Sequence, residues 1–199
     1  MSKENMNHTG NNQRSDIQLI SAYLSGDEKS FEELYFRYRN VLYGYLNNLT
    51  GSQSEADEVF ADTWTRVIDK LPKYQDNGKF SAWLFRLAKN IFIDRIRRTR
   101  PERFTAIDDE SMAELPDDNA FSPDRELGAS DTGKAIIAAI NQLPQEQKEV
   151  FILREQELSF KEIAEIQHCS LNTALSRMRY AIQTLRNYLS ELDRGGLIK

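Results

Sequence analysis

Cysteine, histidine and long apolar runs are scarce in this chain, and each shortage excludes a class of protein. The 199 residues include one cysteine, Cys169, and two histidines, His8 and His168. A single cysteine cannot close an intramolecular disulfide, and these three side chains cannot supply the four ligands of a structural zinc site. No apolar run approaches the roughly 20 residues of a membrane-spanning helix, and the polar N-terminus has no signal-peptide core. We therefore expect a cytoplasmic protein without membrane insertion, disulfide scaffold or Cys/His zinc site.

Motifs that carry catalysis are missing as well. The sequence contains no glycine-rich phosphate loop, no G-x-S-x-G and no H-E-x-x-H. His8 lies in a polar N-terminal segment that we expect to be disordered, which leaves His168 as the one imidazole expected in folded structure. We predict a protein that is not an enzyme, with no catalytic residue, cofactor, metal or small-molecule substrate. A helical enzyme that uses only carboxylates remains a rival hypothesis.

Charge is distributed unevenly along the chain. The net charge of −5 argues against a protein that coats nucleic acid by charge alone. Residues 84–104 nevertheless carry seven cations against two anions, and residues 105–131 carry nine anions against one cation. The acidic segment also contains Pro116 and Pro123, a composition typical of linkers. We predict that an acidic, flexible linker at 101–132 divides the chain.

Apolar residues recur at helical spacing on both sides of this linker, and no useful length of strand-like alternation occurs. Before it, the pattern predicts a short helix around Ile17 to Leu24 and three longer helices, the last with a core stripe from Phe80 to Ile91. After it, four helices are predicted at about 133–142, 145–154, 159–167 and 171–189. The sequence thus predicts an all-α fold of two small helical domains, at 15–100 and 133–190, with tails at 1–14 and 191–199.

The C-terminal domain has the pattern of a helix-turn-helix. Ser159 and Glu162 form a capping box at the start of one helix, Ser170 caps the next, and three residues form the turn. We expect His168 to adopt a positive φ in that turn and Cys169 to be a small apolar residue beneath it, with a redox-sensing thiol as the lesser alternative. The second helix would enter a major groove, with an ordinary solvated helix face as the structural alternative. Its candidate DNA contacts are Asn172, Thr173, Ser176, Arg177, Arg179 and Tyr180.

Further motifs complete the pattern. They are residues 54–64 (SEADEVFADTW), residues 78–90 (GKFSAWLFRLAKN) followed by Ile93-Asp94-Arg95, and, in the C-terminal domain, Leu143-Pro144, Val150-Phe151, Glu162-Ile163-Ala164 and Ser176-Arg177. In this order, and over roughly residues 17–189, the chain resembles the bacterial extracytoplasmic-function (ECF) sigma factors of the sigma-70 family. The family commonly has glycine where His168 stands and a cation where Leu175 stands. The promoter −35 preference of relatives is therefore not carried over.

The resemblance implies a factor that binds core RNA polymerase and directs promoter recognition, DNA melting and transcription initiation. Its implied partners are promoter DNA and the polymerase β′ clamp helices and β flap, and an anti-sigma factor stays open as a further partner. Segment 54–64 resembles the helix that docks on the clamp. The candidate polymerase contacts are Glu55, Asp57, Glu58, Asp62, Thr63 and Arg66.

Residues 78–90 resemble the element that binds promoter −10 DNA, and the residue types suit that chemistry. Cations and aromatic rings along one helix flank can hold a single strand and its unstacked bases, and the preceding loop, residues 73–78, could capture a flipped base. The alternative is that the aromatic residues are core. The candidates for −10 binding and melting are Tyr74, Asn77, Lys79, Phe80, Trp83, Arg86, Lys89, Asn90, Arg97 and Arg98.

A different function class also fits the helix-turn-helix. A stand-alone transcriptional regulator could carry the same C-terminal domain with an N-terminal bundle that senses a ligand or dimerises. Such a regulator must bind its operator without a partner, whereas a sigma factor of net charge −5 should bind DNA poorly until polymerase positions it. DNA binding by the free chain therefore separates the two hypotheses.

Overall fold

Every regular element in the described part of the chain is helical, which confirms the all-α prediction. The computed structural model describes residues 14–75, 79–99 and 131–194, without the side chains of 131–134 and 191–194. The helices are α1 (Asp16–Leu24), α2 (Glu28–Thr50), α3 (Gln53–Lys70), α4 (Phe80–Thr99), α5 (Asp131–Asn141), α6 (Gln145–Glu155), α7 (Phe160–Ile166) and α8 (Leu171–Arg194), with a 3-10 turn at Leu71–Lys73. The described residues do not include most of the predicted linker. They also exclude residues 1–13 of the predicted N-terminal tail and residues 195–199.

The described residues up to Arg37 form one compact unit, and those from Tyr38 onward form the other. In the first unit Ser15 caps α1 through a capping box with Gln18. Arg14 belongs to the predicted disordered tail, but it donates a hydrogen bond to the Ser30 hydroxyl at 2.8 Å. The predicted boundary between the tail and the first domain, after residue 14, is therefore corrected, because the first turn of α2 holds the Arg14 guanidinium.

Helices α3 and α4 pack together in the second unit. The apolar residues of α3 recur at helical spacing, and Val59, Trp64 and Val67 are buried as that spacing requires. Ile68 belongs to the same apolar repeat but is 45% exposed, because its position lies one residue past the buried face. The helix ends at Lys70, next to the proline of the 3-10 turn, since proline cannot continue the hydrogen-bond ladder.

The core face of α4 is wider than the sequence predicted. Phe80, Leu84 and Leu87 are buried as expected. Ile91 is only half-buried, and Phe92 takes the buried position instead. The opposite flank of the helix is left to polar and charged side chains.

The helix-turn-helix forms as predicted. Ser159 and Glu162 make the capping box of α7, and His168 in the turn has φ 51°. Helix α8 packs on α5, α6 and α7. Two boundaries differ from prediction: α5 begins inside the predicted linker, at Asp131, and α8 continues to Arg194 inside the predicted tail. Among the residues that the structure describes, no helix is both long and apolar enough to cross a membrane.

Candidate nucleic-acid and polymerase interface

Helix α8, the predicted recognition helix, presents a polar N-terminal half to the surface. Ser170 caps it by accepting a hydrogen bond from the Thr173 backbone N–H at 3.1 Å, and the two hydroxyls lie 2.8 Å apart. Asn172, Ser176 and the pair Arg179 and Tyr180 are exposed. The spacing of three residues between Leu171 and Ala174 predicts a shared apolar face, but only Ala174 is buried, and Leu171 is exposed. The candidate face therefore combines hydrogen-bonding groups with an apolar side chain.

Arg177 is half-buried, like Thr173, whereas the other candidates on α8 are exposed. Its Nη1 donates a hydrogen bond to Gln167 Oε1 at 3.1 Å, which ties α8 to the turn. Burial raises the pKa of the nearby Cys169 thiol, against the lowering effect of the Arg177 charge. A raised pKa reduces the thiolate fraction, which favours the predicted small apolar residue over the redox-sensing alternative.

Apart from Lys89, the cations predicted to bind DNA along the α4 flank lie at the surface. Arg86, Asn90 and the pair Arg97 and Arg98 are exposed, as is Lys79 immediately before the helix. Asn77 lies outside the described residues. These side chains follow one another at helical spacing, so a single DNA strand lying along this flank would meet successive hydrogen-bond donors.

Three aromatic rings gather where the loop joins α4. The ring of Tyr74 lies 5.0 Å from that of Trp83 and 5.8 Å from that of Phe80. Phe80 also contacts Tyr38 at 5.4 Å and is only 2% exposed. The prediction that Phe80 contacts DNA is corrected, because a ring enclosed by three others has no free face. Half-buried Tyr74 and Trp83 remain candidates for stacking.

The acidic face of α3 is partly engaged within the fold. Asp57 Oδ1 accepts a hydrogen bond from the Tyr43 hydroxyl at 2.7 Å, and this bond raises the pKa of Tyr43. Glu58 forms an ion pair with Arg95 of α4.

The remaining candidates on α3 differ in exposure. Asp62 and Arg66 are exposed, and Glu55, in the first turn, is half-buried. Thr63 is fully buried and donates to the Val59 carbonyl at 2.6 Å, so it supports the helix and leaves the candidate contact surface.

Lys89 is the candidate whose surroundings differ most from prediction. It is 9% exposed, and its Nζ lies 3.1 Å from Oε1 and 3.3 Å from Oε2 of Glu149 on α6. Oε1 also accepts a hydrogen bond from the Tyr45 hydroxyl at 2.8 Å. Burial and the Glu149 charge raise the pKa of Tyr45 well above its ordinary value. Lys89 is therefore covered in this structure rather than presented to DNA.

Sequence reasoning missed Glu149 and Tyr45 for an identifiable reason. Tyr45 fits the apolar spacing of α2, which predicts a core ring and no polar role for its hydroxyl, and no sequence motif includes Glu149. The signal was that Glu149 precedes Ile152 and Leu153 by three and four residues, which places a carboxylate on the buried face of α6. A buried carboxylate needs a partner, but the pattern could not say that the partner is on α4.

Two family models match the chain in sequence order. Residues 34–102 match Sigma-70 region 2, and residues 133–185 match Sigma-70 region 4. The first match includes α3 and α4, and the second includes the helix-turn-helix. The matches therefore cover the basic flank, the acidic face and the recognition helix described above.

Curated relatives match over most of the chain. The RNA polymerase sigma factor YlaC of Bacillus subtilis is 30% identical over 159 residues, covering 77% of this chain and 90% of that protein. The ECF RNA polymerase sigma factor SigE of Mycolicibacterium smegmatis is 32% identical over 166 residues, covering 81% of this chain and 62% of that protein. In fold, the chain is similar to the sigma factor RpoE of Bartonella quintana, solved with the anti-sigma factor NepR. That similarity has a TM-score of 0.55 at 23% identity, over 81% of this chain and 98% of that one.

Proposed function

The chain belongs to the ECF sigma factors of the sigma-70 family, and on that basis we propose that it binds core RNA polymerase, recognises promoters and opens them for transcription. The observation that carries the proposal is the order of the two matched regions along the chain, residues 34–102 and then 133–185. We assign the −10 and polymerase contacts to a domain at 15–100 and the −35 contacts to a domain at 133–190. A stand-alone regulator would need only the second.

We assign recognition of −35 DNA to the N-terminal half of α8. A recognition helix of a helix-turn-helix places its first residues against base edges in the major groove. Amide and hydroxyl groups hydrogen-bond bases, and arginine contacts either guanine or phosphate. The exposed contacts in this proposal are Asn172, Ser176, Arg179 and Tyr180, with half-buried Thr173 and Arg177 behind them.

We assign binding of the melted −10 strand to the α4 flank and the loop before it. Arg86, Arg97 and Arg98 would hold phosphates, and Asn90 would hydrogen-bond a base or sugar. Tyr74 and Trp83 offer ring faces on which unstacked bases can rest, each stack being worth about 1–3 kcal/mol. Because extruding a base costs a few kcal/mol, a loop that captures one base helps to open the duplex.

We assign polymerase docking to the exposed acidic face of α3, chiefly Asp62 with Glu55, Asp57, Glu58 and Arg66. Acidic side chains in the first turn complement the helix dipole, but Asp62 lies beyond that turn and needs another explanation. Docking against a basic helix of the polymerase would explain the acidic charge at Asp62. The free chain acts in this proposal as a non-catalytic cytoplasmic factor. An anti-sigma factor, like the one bound to the Bartonella quintana relative, is a further proposed partner.

Run-off transcription tests the function. Purified chain is added to bacterial core polymerase with genomic DNA fragments, and transcripts are sequenced from their 5′ ends. We expect transcripts that start at discrete sites and depend on both proteins. Tight, specific duplex binding by the free chain, with no transcription in the presence of core, would instead support the stand-alone regulator.

A further inference from the structure

Helix α8 carries an apolar stripe that its own domain leaves partly uncovered. The stripe consists of Leu171, Leu175, Met178, Ile182, Leu185 and Leu189. Leu171, Leu175 and Ile182 are 49%, 42% and 37% exposed, and the other three are half-buried. None of the six is fully buried in the part of the chain that the structure describes. The domain instead covers the neighbouring face of the helix, where Ala174 and Ala181 are completely buried.

The spacing of the stripe is that of a coiled-coil core. Its six residues follow one another at intervals of 4, 3, 4, 3 and 4 residues. These intervals assign Leu171, Met178 and Leu185 to position d of a heptad, and Leu175, Ile182 and Leu189 to position a. In a coiled coil a second helix with the same repeat covers these positions, and β-branched isoleucine at a with leucine at d favours two strands. The spacing therefore favours one partner helix.

Leu175 makes the repeat continuous toward the N-terminus of α8. The family commonly has a cation at this position, and a cation there would place a charge inside an apolar contact, which is costly. The leucine is 42% exposed, and its side chain offers no hydrogen bond to a DNA phosphate. Its place in the stripe therefore needs an explanation other than DNA binding, and a covering helix supplies one.

The charges beside the stripe indicate which helix can cover it. Arg179 and Arg186 lie on one flank, at position e, and Ala174 and Ala181 lie on the other flank, at position g. In a parallel pair of α8 helices, position e of one helix lies beside position g of the other, so each arginine meets an uncharged position. An antiparallel pair would set Arg179 against Arg179, and like charges in contact are unfavourable. The charges therefore permit a parallel pair of identical helices.

We propose that the stripe is the seam of a parallel coiled-coil dimer, in which α8 of a second copy of this chain covers it. Both helices bring the same repeat, so the contact is self-complementary, as a two-fold interface requires. Each helix is already folded on its domain and capped at Ser170, so pairing does not have to supply the cost of forming a helix.

The length of the seam sets the strength of the dimer. From Leu171 to Leu189 it runs for about 27 Å of helix at 1.5 Å per residue. A helix pair of that length buries on the order of 1,000 Å² in total, at the low end for specific interfaces. We therefore expect a weak dimer, with a dissociation constant on the order of 10–100 µM.

The pairing competes with −35 DNA, a consequence that rests on the proposed function. Asn172 and Arg179, both assigned to −35 contacts, lie at position e beside the seam, and Ser176 follows Leu175 directly. A second helix on the seam occupies the space that a DNA duplex needs on this side of α8. The dimer therefore binds −35 DNA less well than the monomer does.

Sedimentation velocity on the full-length chain tests the pairing between about 2 and 200 µM, a range that brackets the expected dissociation constant. The mean mass of the wild type should rise from 23.1 kDa toward twice that value. Leu175→Lys and Ile182→Lys should each weaken self-association at least about tenfold, because every dimer loses two apolar contacts and gains two like charges in the seam. Ile68→Lys is the matched control, since Ile68 is 45% exposed on α3, outside the seam.

A cross-link tests the parallel arrangement. In a Cys169→Ser background, Leu175→Cys places two thiols at facing a positions, within the Cα separation of about 4.4–6.8 Å that a disulfide needs. An antiparallel pair would separate the same thiols. Mild oxidation should therefore give a covalent dimer on a non-reducing gel, whereas Ile68→Cys in the same background should give little.

Three results would refute the dimer. They are a wild type that stays monomeric over the whole range, a dimer that neither folded lysine variant weakens, and a Leu175→Cys chain that cross-links no faster than Ile68→Cys. Circular dichroism establishes that the variants are folded, and two independent seam positions guard against the loss of one of them.

Run-off transcription with core polymerase separates the pairing from the proposed function. The oxidised Leu175→Cys dimer should initiate several-fold less from a −35-dependent promoter than the same protein after reduction, and equal activity would refute the competition with DNA. Transcription by a wild type that stays monomeric refutes the pairing alone. Dimerisation of a wild type that supports no transcription refutes the proposed function alone.

Discussion

Arg177 serves the fold as well as the proposed DNA interface. Its guanidinium donates to Gln167 in the turn, while exposed Arg179 lies over the Tyr180 ring with 5.2 Å between the guanidinium carbon and the ring centroid. Two arginines of one helix therefore have different consequences when they are removed. Loss of the first disturbs the helix-turn-helix, whereas loss of the second changes only its surface.

We predict that Arg177→Ala lowers both stability and −35-dependent initiation. The lost hydrogen bond to a charged donor should cost about 1.5–3 kcal/mol in unfolding free energy, measured by urea denaturation. Arg179→Ala should leave the denaturation midpoint unchanged and reduce initiation in run-off assays by the cost of one DNA contact, about 1–3 kcal/mol. Equal stability losses in both variants would contradict this division.

The acidic residues of α3 allow a second comparison. We expect Asp62→Lys to abolish co-purification with core polymerase without loss of stability, because the exposed charge faces a proposed basic partner. Glu58→Lys should also weaken docking, and it should cost up to about 1 kcal/mol of stability because it places a lysine against Arg95. Asp69→Lys, exposed on the same helix outside the docking segment, is the matched control. Retention of wild-type yield by Asp62→Lys would refute the docking assignment.

Among the elements, α7 depends most visibly on its cap. It is only seven residues long, too short to be stable from propensity alone. Both the Ser159 hydroxyl and its backbone N–H donate to Glu162 Oε2 at 2.6 Å. Partial burial raises the pKa of the Glu162 carboxyl, but these hydrogen bonds and the Lys79 charge outweigh it, so the pKa is lowered overall.

This lowered pKa predicts a pH dependence of stability. The ionised Glu162 cap stabilises the fold above the ordinary glutamate pKa of about 4.3, and that contribution is lost as the pH falls through the lower folded pKa. Glu162→Gln should therefore show a shallower decrease of the urea midpoint on acidification than wild type. At neutral pH it should lose up to about 1 kcal/mol of unfolding free energy. Glu155→Gln is the control, and an acid slope of Glu162→Gln equal to that of wild type would contradict the assignment.

In the proposed function the whole molecule divides its labour between two DNA-binding parts that act at different stages. We propose that the helix-turn-helix reads duplex DNA and that the α4 flank and its loop bind a separated strand. A net charge of −5 gives the free chain little general attraction for DNA. Substitutions in one part should therefore impair either promoter binding or promoter opening without impairing the other step.

We predict that Tyr74→Ala combined with Asn77→Ala impairs opening rather than recruitment. A template already mismatched over the −10 region avoids most of the unpairing cost, so it should recover part of the lost activity while the paired template stays poor. Permanganate footprinting of unpaired thymines on both templates measures the difference. Tyr74→Phe keeps the ring contact with Trp83 and should open DNA nearly as well as wild type. Equal losses on paired and pre-opened DNA would show that the loop is not the melting element.

The sequence by itself determined the helices, their caps and the function class. Local causes produce these features: an apolar period of 3.6, serine caps at Ser159 and Ser170, and a positive φ that His168 tolerates. The exposed cations of α4 followed from the same period. Local pattern also predicted where the recognition helix begins, because a cap and its helix are neighbours in the chain.

Only the tertiary structure decided which of these side chains are available. Phe80 became core because rings from α2 and from the loop before α4 enclose it, and Lys89 became buried because Glu149, sixty residues away, lies opposite it. Such partners come from packing between elements, and no periodicity within one helix encodes them. Burial then changes the role of a charge, since a cation that costs little in water must be paired when water is removed.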